Sequence, residues 1–366
     1  MTSVLISGAG IAGSALAALL CGRGCEVTVV EHAPELRAGG QAVDVRGVAL
    51  EVLARLGVLE PARDLRTRVR GMSVLDAAGA EVDRSTTHAL SSGRLDSEDI
   101  EVLREDLGRL LYERARGDAA YVFGDGVTAL TEEPGGVRVD FACGPARRFD
   151  LVVGADGLHS AVRRLAFGPE EGFSRHLGSY LSVFGADNFL GLEDWQVWLR
   201  DGGAGFGIMP VRGNRELRIA FGFESAPLAR GADLRALVVE RLAALHWEGD
   251  RLAKAAAGAP DFYCDAMAQI HLERWSRGRT VLLGDAGYCP SPLSGQGTSL
   301  ALVGAYVLAE ELGRTSYEPA FSAYETRMRP FVAVNQALAT ENPGGPASEE
   351  SMERAKWAID LDEGDS

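Results

Sequence analysis

Apolar residues in this chain come in three short solid runs, each ending on glycine, and in several longer alternating or aromatic stretches. Val4 to Ile6 is a run of the length and purity of a buried strand. It passes into Gly8-x-Gly10-x-x-Gly13, an Ala/Leu-rich helix continues to about Arg23, and a second apolar run, Val27 to Val30, ends on Glu31. "FDLVVGADGLHSAVRRL" repeats the arrangement: a strand, the pair Asp156-Gly157, then a short helix carrying Ser160 and Arg163. "RTVLLGDAGYCPSPLSGQGTSLALVGAYVLAEEL" does so a third time, with a strand ending at Gly284-Asp285, a loop rich in Gly and Pro, and an apolar helix from Thr298 to Leu312. Between the second and third runs, and just before the second, the pattern changes. "MSVLDAAGAEV", "YLSVFGAD", "DWQVWLR", "GFGIMPV" and "ELRIAFGFE" alternate or carry aromatics as half-buried strands do, and predict a second sheet. A helix is expected from about Tyr317 with a kink at Pro330. "NPGGP" (Asn342 to Pro346) then breaks the chain before a final acidic helix and the frayed tail "DLDEGDS". No internal repeat is found.

Composition narrows the function classes. With 366 residues, 46% hydrophobic and 24% charged, the chain has the makeup of a large globular protein of two domains, or of one with an inserted lobe. A formal net charge of −15 repels phosphate backbones, so nucleic acid is not expected as a partner. Nearly all cations are arginine, the lysines being Lys254 and Lys356. The cysteines Cys21, Cys25, Cys143, Cys264 and Cys289 form no CxxC pair and no metal pattern, which suits a reducing cytoplasm. Cys21 and Cys25 are expected on one face of the first helix, as small buried hydrophobes. The N-terminus shows no export signal, and the 298–312 helix is too short and too interrupted to span a bilayer, so a cytoplasmic protein without membrane attachment is expected.

The first motif carries specific chemistry. Glycines at 8, 10 and 13 let the strand-to-helix turn close and let backbone N–H groups approach a pyrophosphate at the helix N-terminus. Glu31 falls 18 residues past Gly13, where a carboxylate can accept from ribose hydroxyls. Strand, helix and acid together predict a dinucleotide site, without separating a flavin from a nicotinamide nucleotide.

The three motifs in this order resemble the fingerprints of the single-component FAD-dependent aromatic monooxygenases, the para-hydroxybenzoate hydroxylase-like family. "GGQAVDVRG" (Gly39 to Gly47) and the short length look most similar to the tetracycline-inactivating monooxygenases and their actinobacterial relatives. The resemblance implies an α/β fold: a Rossmann-like FAD-binding domain with an inserted, mainly antiparallel β-sheet substrate domain. Its boundaries would be 1–70, 101–172 and 277–341 for FAD, 71–100 and 173–276 for substrate, and 342–366 for the terminal helix and tail. By the same matching, Gly8, Gly10, Ala12 and Gly13 hold the FAD pyrophosphate, Glu31 and His32 lie by the adenosine, and Val127 lies nearby. Asp156 serves flavin and nicotinamide nucleotides, and Asp285 takes the ribityl chain. Arg104 contacts the ribityl or pyrophosphate region, while Asp44 to Arg46 and Pro292 lie near the flavin ring. Gly295, Gly297 and Thr298 bring backbone N–H groups and a positive helix end to the flavin pyrimidine edge. The sequence departs from the family pattern at His32 (Arg there), Tyr288 (His) and Ser299 (Asn).

With no second GxGxxG unit, NAD(P)H is expected to visit the flavin transiently. The resemblance then implies a monooxygenase that inserts one O2 oxygen through a flavin C4a-hydroperoxide into an aromatic or polyketide-like small molecule. Hydroxylation comes first, with Baeyer–Villiger insertion or epoxidation behind it, in a monomer or homodimer of secondary metabolism or antibiotic modification. An FAD-binding oxidoreductase without oxygenase turnover is the rival from another class. A flavin-dependent halogenase is disfavoured, since "WQVW" lacks the W-x-W-x-I-P spacing and no lysine precedes Lys254. Trp195, Trp198, Phe206, Met209, Phe221 and Phe223 are candidates for the substrate pocket. His176, His246 and His271 read as surface or hydrogen-bonded core histidines, and His88 as part of a solvated loop that could border the entrance. Neither a nucleophile triad nor a metal pattern is present.

Overall fold

In the computed structural model, which describes residues 1–229, 231–342 and 346–362, the three apolar runs are neighbours in one sheet. The strand Ser3–Ser7 lies parallel to Glu26–Glu31 on one side and to Leu151–Gly154 on the other, and Leu151–Gly154 pairs in parallel with Thr280–Leu282. Ala120–Phe123 extends one edge in parallel and Ser276–Arg277 closes the other antiparallel, giving six strands. Both faces are covered, so the central strands carry unbroken apolar runs: Val4, Leu5, Ile6, Val152 and Val153 are fully buried. The helix Ile11–Cys21, nearly every residue buried, packs on the sheet, and the mostly buried helix Gly297–Arg314 packs against it.

The first helix ends at Cys21, two residues earlier than expected. Gly22 and Gly24 sit in the turn that follows, with Gly24 at φ +80°, so Cys25 leaves the helix. Cys21 and Cys25 therefore do not share a helix face, and both are half-buried. Ser160 caps the helix Ala161–Phe167 rather than lying within it, accepting from the Arg163 amide.

The second sheet has seven strands in the order Tyr263–Ile270, Ser174–Asp187, Glu216–Glu224, Ala204–Val211, Trp195–Asp201, Gly71–Leu75, Glu81–Ser85. All pairs are antiparallel except Trp195–Asp201 with Gly71–Leu75. All five alternating segments fall in it. The strand Tyr263–Ile270 was not anticipated, because its stretch "YCDAMAQI" lacks a clean alternation. One face packs on the helices Leu234–Ala243 and Gly249–Gly258 through Phe184, Phe206, Ile219 and Phe221 against Val238, Leu242 and Leu252. The other face is turned to the layer built on the first sheet, across a cleft that both line. A short antiparallel ribbon, Ala42–Val45 with Ile100–Leu103, borders the space between the two layers.

The helix Tyr317–Glu341 contains Pro330, and the acidic segment forms the helix Glu349–Lys356. Part of "NPGGP" (343–345) and the end of the tail (363–366) lie outside the described residues. No helix among the described residues is long and apolar enough to cross a membrane.

Candidate functional site

Because the three motif strands are adjacent and parallel, their carboxyl ends open at one place. Gly8, Asp156 and Asp285 follow three neighbouring strands, so motifs spread over nearly 300 residues converge by sheet topology alone. The first turn is as tight as its glycines require. Gly8 has φ +107°, and a Cβ there would stand 2.5 Å from the Ala155 carbonyl oxygen; one on Gly13 would stand 1.9 Å from the Gly8 carbonyl oxygen. Gly10 and Ala12 line the cleft that opens above the turn, while Gly8 and Gly13 serve its closure. Glu31 fastens the turn to the second strand, accepting from the Ala9 amide at 2.8 Å through one oxygen and from the Ala33 amide at 2.9 Å through the other. Each oxygen keeps a lone pair for a ribose hydroxyl.

Arg104 opens the helix Arg104–Ala115, and a Cβ on Gly10 would be 3.9 Å from its guanidinium. Burial, then the like charge of Arg37, lowers its pKa, opposed in part by Tyr263, Asp285 and Glu31. Its side chain makes no hydrogen bond among the described residues, so a planar fork of donors stands free over the glycine turn. Asp285 sits below the same cleft; burial raises its pKa, opposed by a hydrogen bond with Cys289 and by Arg104.

The loop after Asp285 is held in unusual backbone. Ser291 is buried at φ +74° and accepts from the Leu293 amide, Pro292–Ser294 form a 3-10 turn, and Gly295 follows at φ +63°. The helix then starts at Gly297, so Gly297 and Thr298 present unpaired N–H groups to the cleft. Gln296 is fully buried, and neither end of its amide has a partner. An orphaned buried amide, a free guanidinium and an uncapped helix start together call for a ligand rich in acceptors.

Several of the expected residues stand off the cleft or are engaged within the protein. Val127 is buried in the core beside the first sheet and does not line the cleft, because an apolar side chain there gains more from packing. His32 is exposed beyond the end of the second strand and likewise lies off the cleft. Asp156 is spent on structure: it accepts from Ser160 Oγ, from the Ala161 amide at 2.8 Å and from the Val162 amide at 3.1 Å, and only Gly157 of the pair lines the cleft. Arg46 does line the cleft, yet it is not free. Its amide donates to Ser299 Oγ at 3.2 Å and its guanidinium to Asp44 at 2.8 Å and to the Ser91 carbonyl at 3.3 Å. Ser299 thus uses its hydroxyl to position Arg46, just past the end of the strand Ala42–Val45. Tyr288 fills space that Gly304 leaves open and shares a hydrogen bond of 2.9 Å with Tyr324.

On the sheet side, alternation decides which aromatics face the cleft. Trp198 does, lying over Gly207, where a Cβ would stand 2.6 Å from its ring; its indole N–H donates to Gln196, whose amide donates to Ser91 Oγ at 2.7 Å. Met209 also lines the cleft. Trp195 and Phe221 do not. Trp195 is one step out of phase at the strand start, under Arg84 and bonded to Ser73, and Phe221 is fully buried on the helix-covered face. Phe206 and Phe223 border the cleft, but their rings stack on Trp247 and Tyr180 in the core, at 2% and 1% exposure.

Sequence reasoning missed three features. The terminal helix covers the cleft with Met352 and Glu353 and ties down through Lys356, which donates to Asp99 at 3.0 Å. His159 is clamped between Glu170 and Asp265, both at 2.9 Å, and hydrogen bonding to Asp265 is the main cause that raises its pKa to about 9. Asp44 and Glu101 face each other across the ribbon. Only the isolated acids of "VDVRG" and "IEVLRED" signalled that pair. His88 is exposed at the cleft mouth, His246 is exposed, and His271 shares a hydrogen bond with Gln269. His176 is half-buried; Nδ1 accepts from the Gly178 amide and Nε2 has no partner. No group of His, Cys, Asp and Glu among the described residues could hold a metal ion.

The cleft measures about 1630 Å³. That exceeds the roughly 300–1,000 Å³ of a single small-molecule site, so a cofactor and a substrate fit together. A family model described as an FAD binding domain matches residues 1–334. An uncharacterized protein of Mycobacterium tuberculosis is 46% identical, with 99% of each chain covered. A flavin-dependent monooxygenase from an unknown prokaryotic organism is 35% identical, with 98% of each covered. Among solved structures, the tetracycline destructase Tet(55) superposes with a TM-score of 0.87 at 33% identity, covering 99% of this chain and 98% of that one.

Proposed function

The chain belongs to the FAD-dependent monooxygenases of the para-hydroxybenzoate hydroxylase-like family, and from that premise we propose that it hydroxylates an aromatic or polyketide-like small molecule, taking electrons from NAD(P)H. The observation that carries this reading is the two-sided cleft. One wall is an acceptor-hungry seat made of Gly10, Ala12, Arg104, Asp285, Pro292, Gly295, Gly297 and Thr298, and the other is a sheet face bearing Trp198 and Met209. FAD would fit the first wall: Arg104 and the glycine turn would hold its phosphates, Asp285 its ribityl hydroxyls and the start of the 297–314 helix its ring, while Glu31, outside the cleft lining, would take its ribose at the far end. Bound there, it supplies two-electron redox chemistry and the activation of O2. The protein's own residues position, shield and manage charge. The 291–297 loop would hold the ring edge against the helix N-terminus, the sheet and the terminal helix would exclude water, and Trp198 would offer a flat apolar surface to a ring.

We assign 1–70, 101–172 and 277–341 to the flavin unit, 71–100 and 173–276 to the substrate unit, and 342–366 to a C-terminal helix and acidic tail, in a cytoplasmic monomer or homodimer. The relative Tet(55) is called a tetracycline destructase, which supports a polycyclic ligand of similar kind for a cleft this roomy. The test is a screen of aromatic compounds for stimulated NADPH oxidation under labelled O2, with mass analysis of the products. A product carrying one labelled oxygen is expected. Stimulated NADPH oxidation that yields only hydrogen peroxide with every compound, or no stimulation at all, would leave a flavin oxidoreductase without oxygenase turnover.

A further inference from the structure

In the ribbon at the cleft border, Asp44 stands directly opposite Glu101, and residues opposed in an antiparallel pair share one face. Like charges in that relation repel, and both side chains belong to the cleft wall. Glu101 is 7% exposed, and its carboxylate accepts from Thr67 Oγ1 at 2.6 Å. Every charged group around the pair is accounted for. Arg46 gives its guanidinium to Asp44 at 2.8 Å, with its Nε buried and unpartnered. From the preceding loop, Asp99 is taken up by Lys356 at 3.0 Å and by the Gly47 amide at 2.9 Å, and Lys356 also pairs with Glu353 of its own helix at 2.5 Å. Four carboxylates thus meet two cations, and Glu101 is left without one.

We propose that Asp44 and Glu101 hold one exchangeable proton between them, and that Glu101 is the base that takes the proton of an acidic hydroxyl on the bound substrate. Burial, then the Asp44 charge, pushes Glu101 up to about 7, against hydrogen bonds from Ser91 and Thr67 and the charge of Arg46. A carboxylate so placed is matched to work at neutral pH. In the step itself the substrate O–H bond breaks, the proton goes to a Glu101 oxygen, and the electron pair stays on the substrate oxygen, enriching the ring it is attached to. The proton returns from Glu101 to the hydroxyl of the product. The proposal rests on the hydroxylase reading for its substrate, but the pair can be observed without one.

Difference infrared spectroscopy of the FAD-loaded protein, titrated between about pH 5 and 9, reads the pair directly. A protonated-carboxyl band that disappears with a midpoint near 7 is expected, lost in Glu101→Gln and shifted to lower pH in Asp44→Asn, where the like charge is gone and Arg46 is free to turn to Glu101. With a hydroxylated compound that stimulates turnover, the wild type should show kcat/KM rising through the same midpoint. Glu101→Gln should lose that limb and at least tenfold in rate. Should Glu101→Gln not fold, the wild-type band and the Asp44→Asn shift decide. No titrating band in the wild type, or a Glu101→Gln protein with the parental pH profile, overturns the proposal. A screen that finds no stimulating compound counts against the hydroxylase reading alone and leaves the infrared result standing.

Discussion

Asp285 and Asp156 both follow a parallel strand and precede a glycine or alanine, yet the structure gives them different work. Asp156 is saturated by a hydroxyl and two amides of its own helix, whereas Asp285 opens on the cleft with Arg104 nearby. Asp285→Ala removes an acceptor from buried hydroxyl donors, so FAD binding should weaken by about 1–3 kcal/mol in a fluorescence titration. Asp156→Asn should leave FAD affinity close to parental and lower thermal stability instead. The arginines part in the same way. Arg104 is free toward the cleft, and Arg104→Ala should chiefly reduce FAD affinity; Arg46 is locked on Asp44, and Arg46→Ala strands a buried carboxylate at a cost of about 3–5 kcal/mol in unfolding free energy. Measuring FAD occupancy and denaturant midpoints side by side separates the two. The sequence marked these residues by motif position, but a motif does not tell whether a carboxylate is consumed by a cap, because that depends on where the next helix starts.

At the scale of elements, period-2 alternation located five strands of the substrate sheet and failed at strand ends. Trp195 and Trp198 lie an odd number of positions apart, so one ring must face away from the cleft, and the pattern alone does not say which. Gly207 decides it by making room for Trp198. Gly207→Ala should push that ring into the cleft, costing about 1–3 kcal/mol of stability, raising KM for substrate and leaving FAD occupancy unchanged. The His159 clamp joins the loop after Asp156-Gly157 to the substrate sheet through Asp265 and to Glu170. Its folded pKa, about 9, lies above the ordinary histidine value of 6.5. The clamp therefore stabilises fully below pH 6.5, and its contribution declines as pH rises and is gone above about 9. The melting-temperature difference between the parent and His159→Gln should be largest at acidic pH and shrink toward pH 9. No periodicity could have shown this clamp, since its partners are 11 and 106 residues away.

For the whole molecule, the sequence made legible a flavin layer, a substrate sheet and the convergence of three motifs, because parallel strands buried on both faces advertise themselves as solid apolar runs. It did not show the terminal helix as a cover, since "EESMERAK" reads as a solvated acidic helix until Lys356 meets Asp99 and Met352 meets the cleft. A cofactor held between two layers binds the folded state alone, so saturating FAD should raise the melting temperature of the flavin-free protein, by about 2.7 kcal/mol of added stability at a hundredfold excess over Kd. If three separated motifs build one FAD seat, denaturing the purified protein and chromatographing the released flavin reads it out. A yellow protein that releases FAD at close to one per chain is expected. A colourless protein that takes up no FAD on reconstitution, or one that releases only FMN, would contradict it.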